Sequence, residues 1–246
     1  MQKSMNNGNT IIFDIETVGE RFDDMDERTQ EMQTKHLKTT AENQEEYDRG
    51  LKLLKEGMGF SPLTGFIVAI AMLDVESNYL GLYYLDKENN GKEIHETIHD
   101  MPTVLRAYDE KTMLEKFWDK VSNAGRVVSF NGRKFDGPFL NARSMKHEVP
   151  VTADLVGYRY SWPAFHIDLF DHLTYFGTSG FKGNLHMWCR AMGIGSPKAD
   201  GISGEDVAGM YQDGKVLDIA RYSAGDIIAT RDLYFRWLKF IKGVDL

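Results

Sequence analysis

Apolar and β-branched residues alternate with polar ones from Thr10 to Val18 (TIIFDIETV), which predicts a strand entering the core near the start of the chain. Gly65–Asp74 (GFIVAIAMLD) and Tyr79–Asp86 (YLGLYYLD) flank the turn-forming Glu76-Ser77-Asn78, so an antiparallel hairpin is expected. The period then changes. Met113, Leu114, Phe117, Trp118 and Val121 share a helical stripe behind a Thr112-x-x-Glu115 capping box, and Gly125 closes it. Arg126–Phe130 (RVVSF) reads as a buried strand, and further helices are expected at 138–147, 183–192, 204–213 behind a Ser203 cap, and 216–242. An antiparallel start followed by alternating helix and strand predicts an α/β architecture.

Residues 20–57 interrupt this pattern. Between 20 and 56 lie eleven acidic and seven basic side chains with thinly spaced Met25, Met32, Leu37, Leu51 and Leu54, and Gly57 ends the stretch, which reads as a solvated helical insertion. The insertion supplies four of the eight net negative charges that 29 Lys plus Arg against 37 Asp plus Glu leave on the chain. The global basic field of many nucleic-acid binders is therefore absent, and a nucleic-acid partner would need another source of positive charge.

No Pro-rich or Gly/Ser-rich linker divides the 246 residues, so a single domain over 1–246 is expected. The lone Cys189 permits neither an intrachain disulfide nor a C-x-x-C zinc site, which fits a reducing compartment. The first ten residues are polar, and the longest apolar run, Phe66–Leu73, is far short of the roughly 20 residues that span a bilayer. The expectation is a cytoplasmic protein without a membrane partner. Walker-type loops and internal repeats are missing, which excludes P-loop enzymes and solenoids.

Three segments carry chemistry. In Asp14-Ile15-Glu16 the strand period of two puts both carboxylates on one face and Ile11, Phe13 and Ile15 on the other. A partly solvated strand face explains such a pair equally well. In the segment from Ser129 to Leu140 a buried strand ends in a Gly turn and Asp136 opens a helix with Pro138 in its first turn. Helix capping accounts for an Asp there. Asn131, Arg133 and Lys134 beside it could nevertheless meet a phosphate backbone. Tyr222 and Asp226 stand at i, i+4, which brings a phenol and a carboxylate to one helix face. An amphipathic surface helix would show the same spacing.

Taken together, Asp14, Glu16, Asp136 and Asp226 can converge at one end of a sheet, and four acids share a pocket only with cations. Oxygen donors without a Cys/His set select Mg²⁺ or Mn²⁺, and so acidic a cluster suggests two ions about 3.5–4 Å apart. Such a pair would supply the missing positive charge, acting on a scissile phosphate, a hydroxide nucleophile and a leaving 3' oxygen, with Tyr222 orienting the water.

FDIET at 13–17, NGRKFDGPFL at 131–140 and YSAGD at 222–226 resemble motifs I, II and III of the DEDD, DnaQ-type 3'-5' exonucleases, which share the ribonuclease H-like fold. The likeness is greatest to stand-alone bacterial 3'-5' exonucleases related to the exonuclease domain of family B DNA polymerases. It extends over SPLTGFIVAIAML at 61–73, FHIDLFDHL at 165–173 and LHMWCRAMGI at 185–194. The resemblance implies that Asp14, Glu16, Asp136 and Asp226 ligate the metals. Tyr222, four residues before the last Asp, places the chain in the tyrosine subclass; the histidine subclass needs His where this chain has Arg221. Thr17, Ser129, Asn131 and Phe135 fall where relatives contact the 3'-terminal nucleotides, and Ala224-Gly225 replaces bulkier polar residues. Pattern and resemblance together describe a ribonuclease H-like α/β domain: a mixed five-stranded sheet flanked by helices, with the insertion after the first strand. The implied reaction is hydrolysis from the 3' end of single-stranded DNA or RNA, DNA favoured, releasing 5'-mononucleotides.

Two other functions compete. His95-Glu-Thr-Ile-His99 is a literal HExxH, which on a helix could hold zinc with Glu96 as base, although Asn89-Asn90-Gly91 and Pro102 leave little room for a helix. A ribonuclease H-like domain can also serve as a non-catalytic nucleic-acid-binding module, usually after losing a ligand, and all four acids are present here. Asp168, His166 and His172 read as a strand end and helix cap, and Trp188, Met187, Met192 and Cys189 as core. Arg126, Arg133, Lys134, Arg143 and Lys146 could form a basic track or be scattered surface charges, and Lys182 and Lys198 are equally open.

Overall fold

The computed structural model describes residues 8–157, 165–195 and 206–244. The first strand, β1 (Thr10–Gly19), is followed by the expected insertion, a pair of helices α1 (Glu27–Thr40) and α2 (Gln44–Gly57). Asp26 and Asn43 cap them by accepting the Thr29 and Glu46 N–H groups. The two helices meet where Leu37 packs on Gly50; a Cβ at Gly50 would lie 2.6 Å from Leu37 Cδ2.

The hairpin forms as read, with β2 (Gly65–Asp74) antiparallel to β1 and to β3 (Tyr79–Leu85). Two further strands follow, β4 (Glu93–Ile98) and β5 (Met101–Tyr108), and the sheet has seven strands rather than five. Its order is β4-β5-β3-β2-β1-β6-β7, where β6 is Arg126–Ser129 and β7 is His166–Asp168. β5 runs parallel to β3, and β6 parallel to both β1 and β7, so the sheet is mixed. β4 is polar on alternate positions and sits at the edge, where one-sided burial hides its strand character.

Helix α3 (Glu110–Asn123) starts earlier than the Thr112 capping box indicated. Asp109 is the cap, accepting the Thr112 N–H at 2.7 Å, because Glu110 is needed inside to pair with Arg143. The remaining helices are α4 (Asp136–His147), α5 (Leu169–Leu173), α6 (Leu185–Met192), α7 (Val207–Gln212) and α8 (Val216–Trp237), the last continued by a wider turn over 238–242. The proposed Ser203 cap and Lys198 lie outside the described residues.

β1 is buried on both faces, and its alternation divides the core. Ile11, Phe13 and Ile15 pack with Phe117, Trp118 and Phe139 of α3 and α4, whereas Ile12 and Val18 pack with Ile227 and Trp237 of α8. Asp14 and Glu16 therefore point toward the α8 side. Met187, expected in the core, is 57% exposed, while Cys189 beside it is fully buried. No helix among the described residues is long and apolar enough to cross a membrane.

Candidate active site

Strand geometry places Asp14 and Glu16 opposite Ala71 and Ala69 of β2, two side chains small enough to leave room beside the carboxylates. The β1–β2 register shifts between Glu16 and Thr17, a bulge just beyond the second acid. From the other layer, α8 brings in Asp226. Asp14, Glu16 and Asp226 each offer an oxygen, and all three lie within 4.8 Å of one another. Ala224, on the same helix, is fully buried, and so small a side chain lets α8 lie close to the sheet.

Asp136 stands apart from that triad but next to it. It does not occupy the cap position of α4, which belongs to Phe135; its Oδ1 accepts the Ile15 N–H of β1 at 3.1 Å. Its charge still acts on both Asp14 and Glu16. Burial, followed by the neighbouring carboxylates, holds Asp14 and Glu16 well above the usual carboxylate range. Burial raises Asp136 to about 7 although the Ile15 N–H opposes the shift. Oxygen donors crowded and desolvated in this way cannot all ionise without added positive charge, so the set fits hard divalent cations. Asp14, Glu16 and Asp226 can share one ion.

Tyr222 lies one turn before Asp226 and hydrogen-bonds to it. Burial first, then Asp226, Glu16 and Asp14, raises the phenol, which stays protonated at neutral pH and donates. Asp14, Tyr222 and Asp226 line a hollow of about 170 Å³ completed by Phe130, Asn184, Leu185 and His186. Sequence reasoning passed over these four. Asn184 carried a signal as the residue before an apolar helix, and it caps α6 by accepting the Met187 N–H at 3.1 Å. Nothing in the spacing aimed it at Asp14.

The residues placed by resemblance at the 3' terminus divide. Thr17 spends its hydroxyl on the Gly59 carbonyl at 2.7 Å. Ser129 is buried, its Oγ 2.8 Å from His166 Nε2, so its hydroxyl faces the interior and not the hollow. Asn131 adopts a left-handed φ of 63°, which Asn tolerates, and is partly exposed at the end of β6. Phe135 is half-buried against Phe139.

Asp168 does more than end β7 and cap α5. Its carboxylate accepts the Asn131 N–H at 2.8 Å, the Arg133 N–H at 2.9 Å and the Phe170 N–H at 3.0 Å, tying down the loop that leads into Asp136. Burial pushes His166 down to about 4. The ring is therefore neutral: Nδ1–H donates to the Leu155 carbonyl at 2.6 Å, and Nε2 accepts the Ser129 hydroxyl.

Four of the five cations of the basic track are engaged with the protein itself, and Lys134 stands exposed. Arg143 is buried against Glu110 at 2.6 Å, Arg133 donates to the Val156 and Gly157 carbonyls, Arg126 reaches the Tyr234 hydroxyl, and Lys146 pairs with Glu20. HETIH is no zinc helix. His95, Glu96 and Thr97 lie in β4, His99 follows in a turn at φ 48°, and Glu96 pairs with Arg221 at 3.1 Å, so the two imidazoles lack the helical i, i+4 placement.

Residues 67–245 match the model of a family described as a predicted 3'-5' exonuclease related to the exonuclease domain of PolB. The chain belongs to this family. The matched stretch holds Asp136, Tyr222 and Asp226; Asp14 and Glu16 precede it and are joined to it by the fold. Among solved structures, the family B DNA polymerase from the hyperthermophilic archaeon Pyrobaculum calidifontis superposes with a TM-score of 0.57 at 16% identity, over 95% of this chain and 25% of that one. The chain thus spans a quarter of that polymerase's length, and the likeness establishes the ribonuclease H-like α/β fold of this family member. No curated protein matches the chain.

Proposed function

We propose that this family member is a metal-dependent 3'-5' exonuclease that hydrolyses single-stranded nucleic acid from its 3' end, DNA in preference to RNA, and releases 5'-mononucleotides, with residues 1–246 forming one exonuclease unit. The observation that carries this reading is the meeting of Asp14, Glu16 and Asp226 oxygens within 4.8 Å, from elements more than 200 residues apart in the chain. Tyr222 shares their hollow.

In this reading Asp14, Glu16, Asp136 and Asp226 hold two ions of the Mg²⁺ or Mn²⁺ class. When bound, such ions supply Lewis-acid charge that activates water near neutral pH and offsets charge on the phosphate oxygens. The protonated Tyr222 phenol, anchored by Asp226, holds the attacking water in line with the phosphorus. Asp168 and the Ile15 N–H keep Asp136 in place against β1. Thr17, Asn131 and Phe135 border the path of the terminal nucleotides. His186 and Asn184 close the hollow on the α6 side.

The test is digestion of 5'-labelled single-stranded DNA and RNA of one sequence with Mg²⁺, Mn²⁺ or EDTA. A ladder shortening one nucleotide at a time, abolished by EDTA and by Asp14→Ala, is expected. Shortening from the other end, or activity untouched by Asp14→Ala, overturns the reading. Full binding without hydrolysis would make the domain a non-catalytic binding module.

A further inference from the structure

Three hollows follow one another along α6 and the segment before it. The first, about 170 Å³, is the one containing Asp14, Tyr222 and His186. The second, about 230 Å³, is lined by Phe181, Lys182, Met187, Trp188 and Ala191. The third, about 370 Å³, shares Phe181 and Trp188 with the second and continues over Tyr175, Trp237 and Phe240. Its rings are not hidden: Tyr175 is 60%, Phe181 57% and Phe240 70% exposed. Aromatic side chains grouped in the open mark a binding surface.

The charge of this surface is opposite to that of the molecule. Residues 172–195 contain Lys182 and Arg190 and no carboxylate, and residues 233–243 contain Arg236, Lys239 and Lys242 and no carboxylate, in a chain of net charge −8. Two of these cations lie on the rings, Lys242 5.1 Å from the Trp237 centroid and Lys239 5.6 Å from the Phe240 centroid. Exposed rings beside cations suit a ligand with flat faces and regularly spaced negative charge, which is the chemistry of a single nucleic-acid strand.

We propose that the strand upstream of the scissile phosphate leaves the acidic hollow over α6 and stacks its bases on Phe181, Tyr175 and Phe240, with its phosphates on Lys182, Lys239 and Lys242. The eight residues of α6 give a path roughly 12 Å long between the acidic hollow and the rings. This rests on the exonuclease reading for the direction of the strand. It also answers how a chain of net charge −8 holds nucleic acid: Lys182, Arg190, Arg236, Lys239 and Lys242 lie in two segments free of carboxylates, while the insertion alone carries four of the net negative charges.

The experiment compares Phe181→Ala, Phe240→Ala and Lys182→Glu, all on the exposed surface, with the unaltered chain. Binding is read as anisotropy of a 5'-fluorescein twelve-nucleotide deoxythymidine strand in EDTA, so it does not depend on hydrolysis. Each variant should weaken binding about fivefold or more, with an unchanged melting temperature. In Mg²⁺, KM for the twelve-nucleotide strand should rise by a similar factor while KM for a dinucleotide, too short to reach the groove, should not follow. Unchanged affinity for the long strand overturns the track even if the enzyme is active, and so does an equal loss on both substrates. Tight binding in EDTA that the variants weaken, without any hydrolysis, would keep the track and remove the exonuclease. Variants that keep the strand but abolish self-association in sedimentation would assign the surface to a second copy, against the proposal.

Discussion

Asp136 accepts the Ile15 N–H at 3.1 Å, a hydrogen bond that spans 121 residues of sequence and lies between the two acids of β1. It couples the loop after β6 to the strand carrying Asp14 and Glu16. Asp136→Asn keeps an acceptor for that N–H but removes a charge whose buried pKa stands at about 7. Exonuclease activity should fall at least about a hundredfold, while the metal-free variant at pH 8 melts at or above the temperature of the parent. Asp136→Ala also leaves the N–H unpaired, which costs ~1–3 kcal/mol. Equal melting of the two variants in calorimetry would remove the hydrogen bond from the account.

Tyr222 hydrogen-bonds Asp226 and is kept protonated by burial and three carboxylates. Tyr222→Phe deletes only the hydroxyl. Single-turnover rates on labelled DNA should drop about tenfold or more with little change in strand affinity. Undiminished rates would take the phenol out of the mechanism.

Raised carboxylate pKa values give the metal-free protein a definite pH response. Asp14, Glu16 and Asp136 bind protons more tightly folded than unfolded, so the stability they contribute is complete below the unfolded value near 4 and is lost as pH rises through about 7, the folded value of Asp136. Mn²⁺ competes with those protons and should raise the melting temperature far more at pH 8 than at pH 5.5; at a hundred times its Kd the bound ion stabilises the fold by about 2.7 kcal/mol. Melting curves of the parent and of Asp14→Ala check this. A shift independent of pH, or one retained in Asp14→Ala, would place the ion elsewhere.

His166 acts with the opposite sign. Its folded pKa of about 4 lies below the unfolded 6.5, so the unfolded chain binds more protons between those values. Stability from the neutral ring is fully present above pH 6.5 and falls by about 3 kcal/mol as the pH drops toward 4. The difference in unfolding free energy between the parent and His166→Gln, read from urea titrations, should shrink by that amount from pH 7 to pH 4. A constant difference would mean that the imidazole is not the neutral partner of Ser129.

Much of the site was legible because strand and helix periods are local. Two residues along a strand return to the same face, so Asp14 and Glu16 had to project together, and four along a helix do likewise for Tyr222 and Asp226. Elements with one-sided burial were harder. β4 carries HETI within an edge strand whose polar positions mask its alternation, and Pro102 in β5 reads as a break although it pairs with Thr97 of β4. The start of α3 was misplaced because Glu110 turns inward to Arg143, 33 residues later, which no local capping pattern encodes.

Ser129 and Asp168 exchanged the roles that sequence offered them. The serine that resemblance set beside the 3'-terminal nucleotides faces a buried histidine, and the aspartate of a plain helix cap anchors the loop before Asp136.

The sequence alone determined which side chains are acids, which face of its own element each occupies, and that an acidic insertion follows the first strand. Tertiary structure decided which of them meet. Side-chain period is set within a few residues by backbone geometry, whereas the closeness of Asp14 to Asp226, the inward turn of Ser129 and the gathering of cations around Phe181 and Phe240 arise from packing layers whose contacts are separated by tens to hundreds of residues.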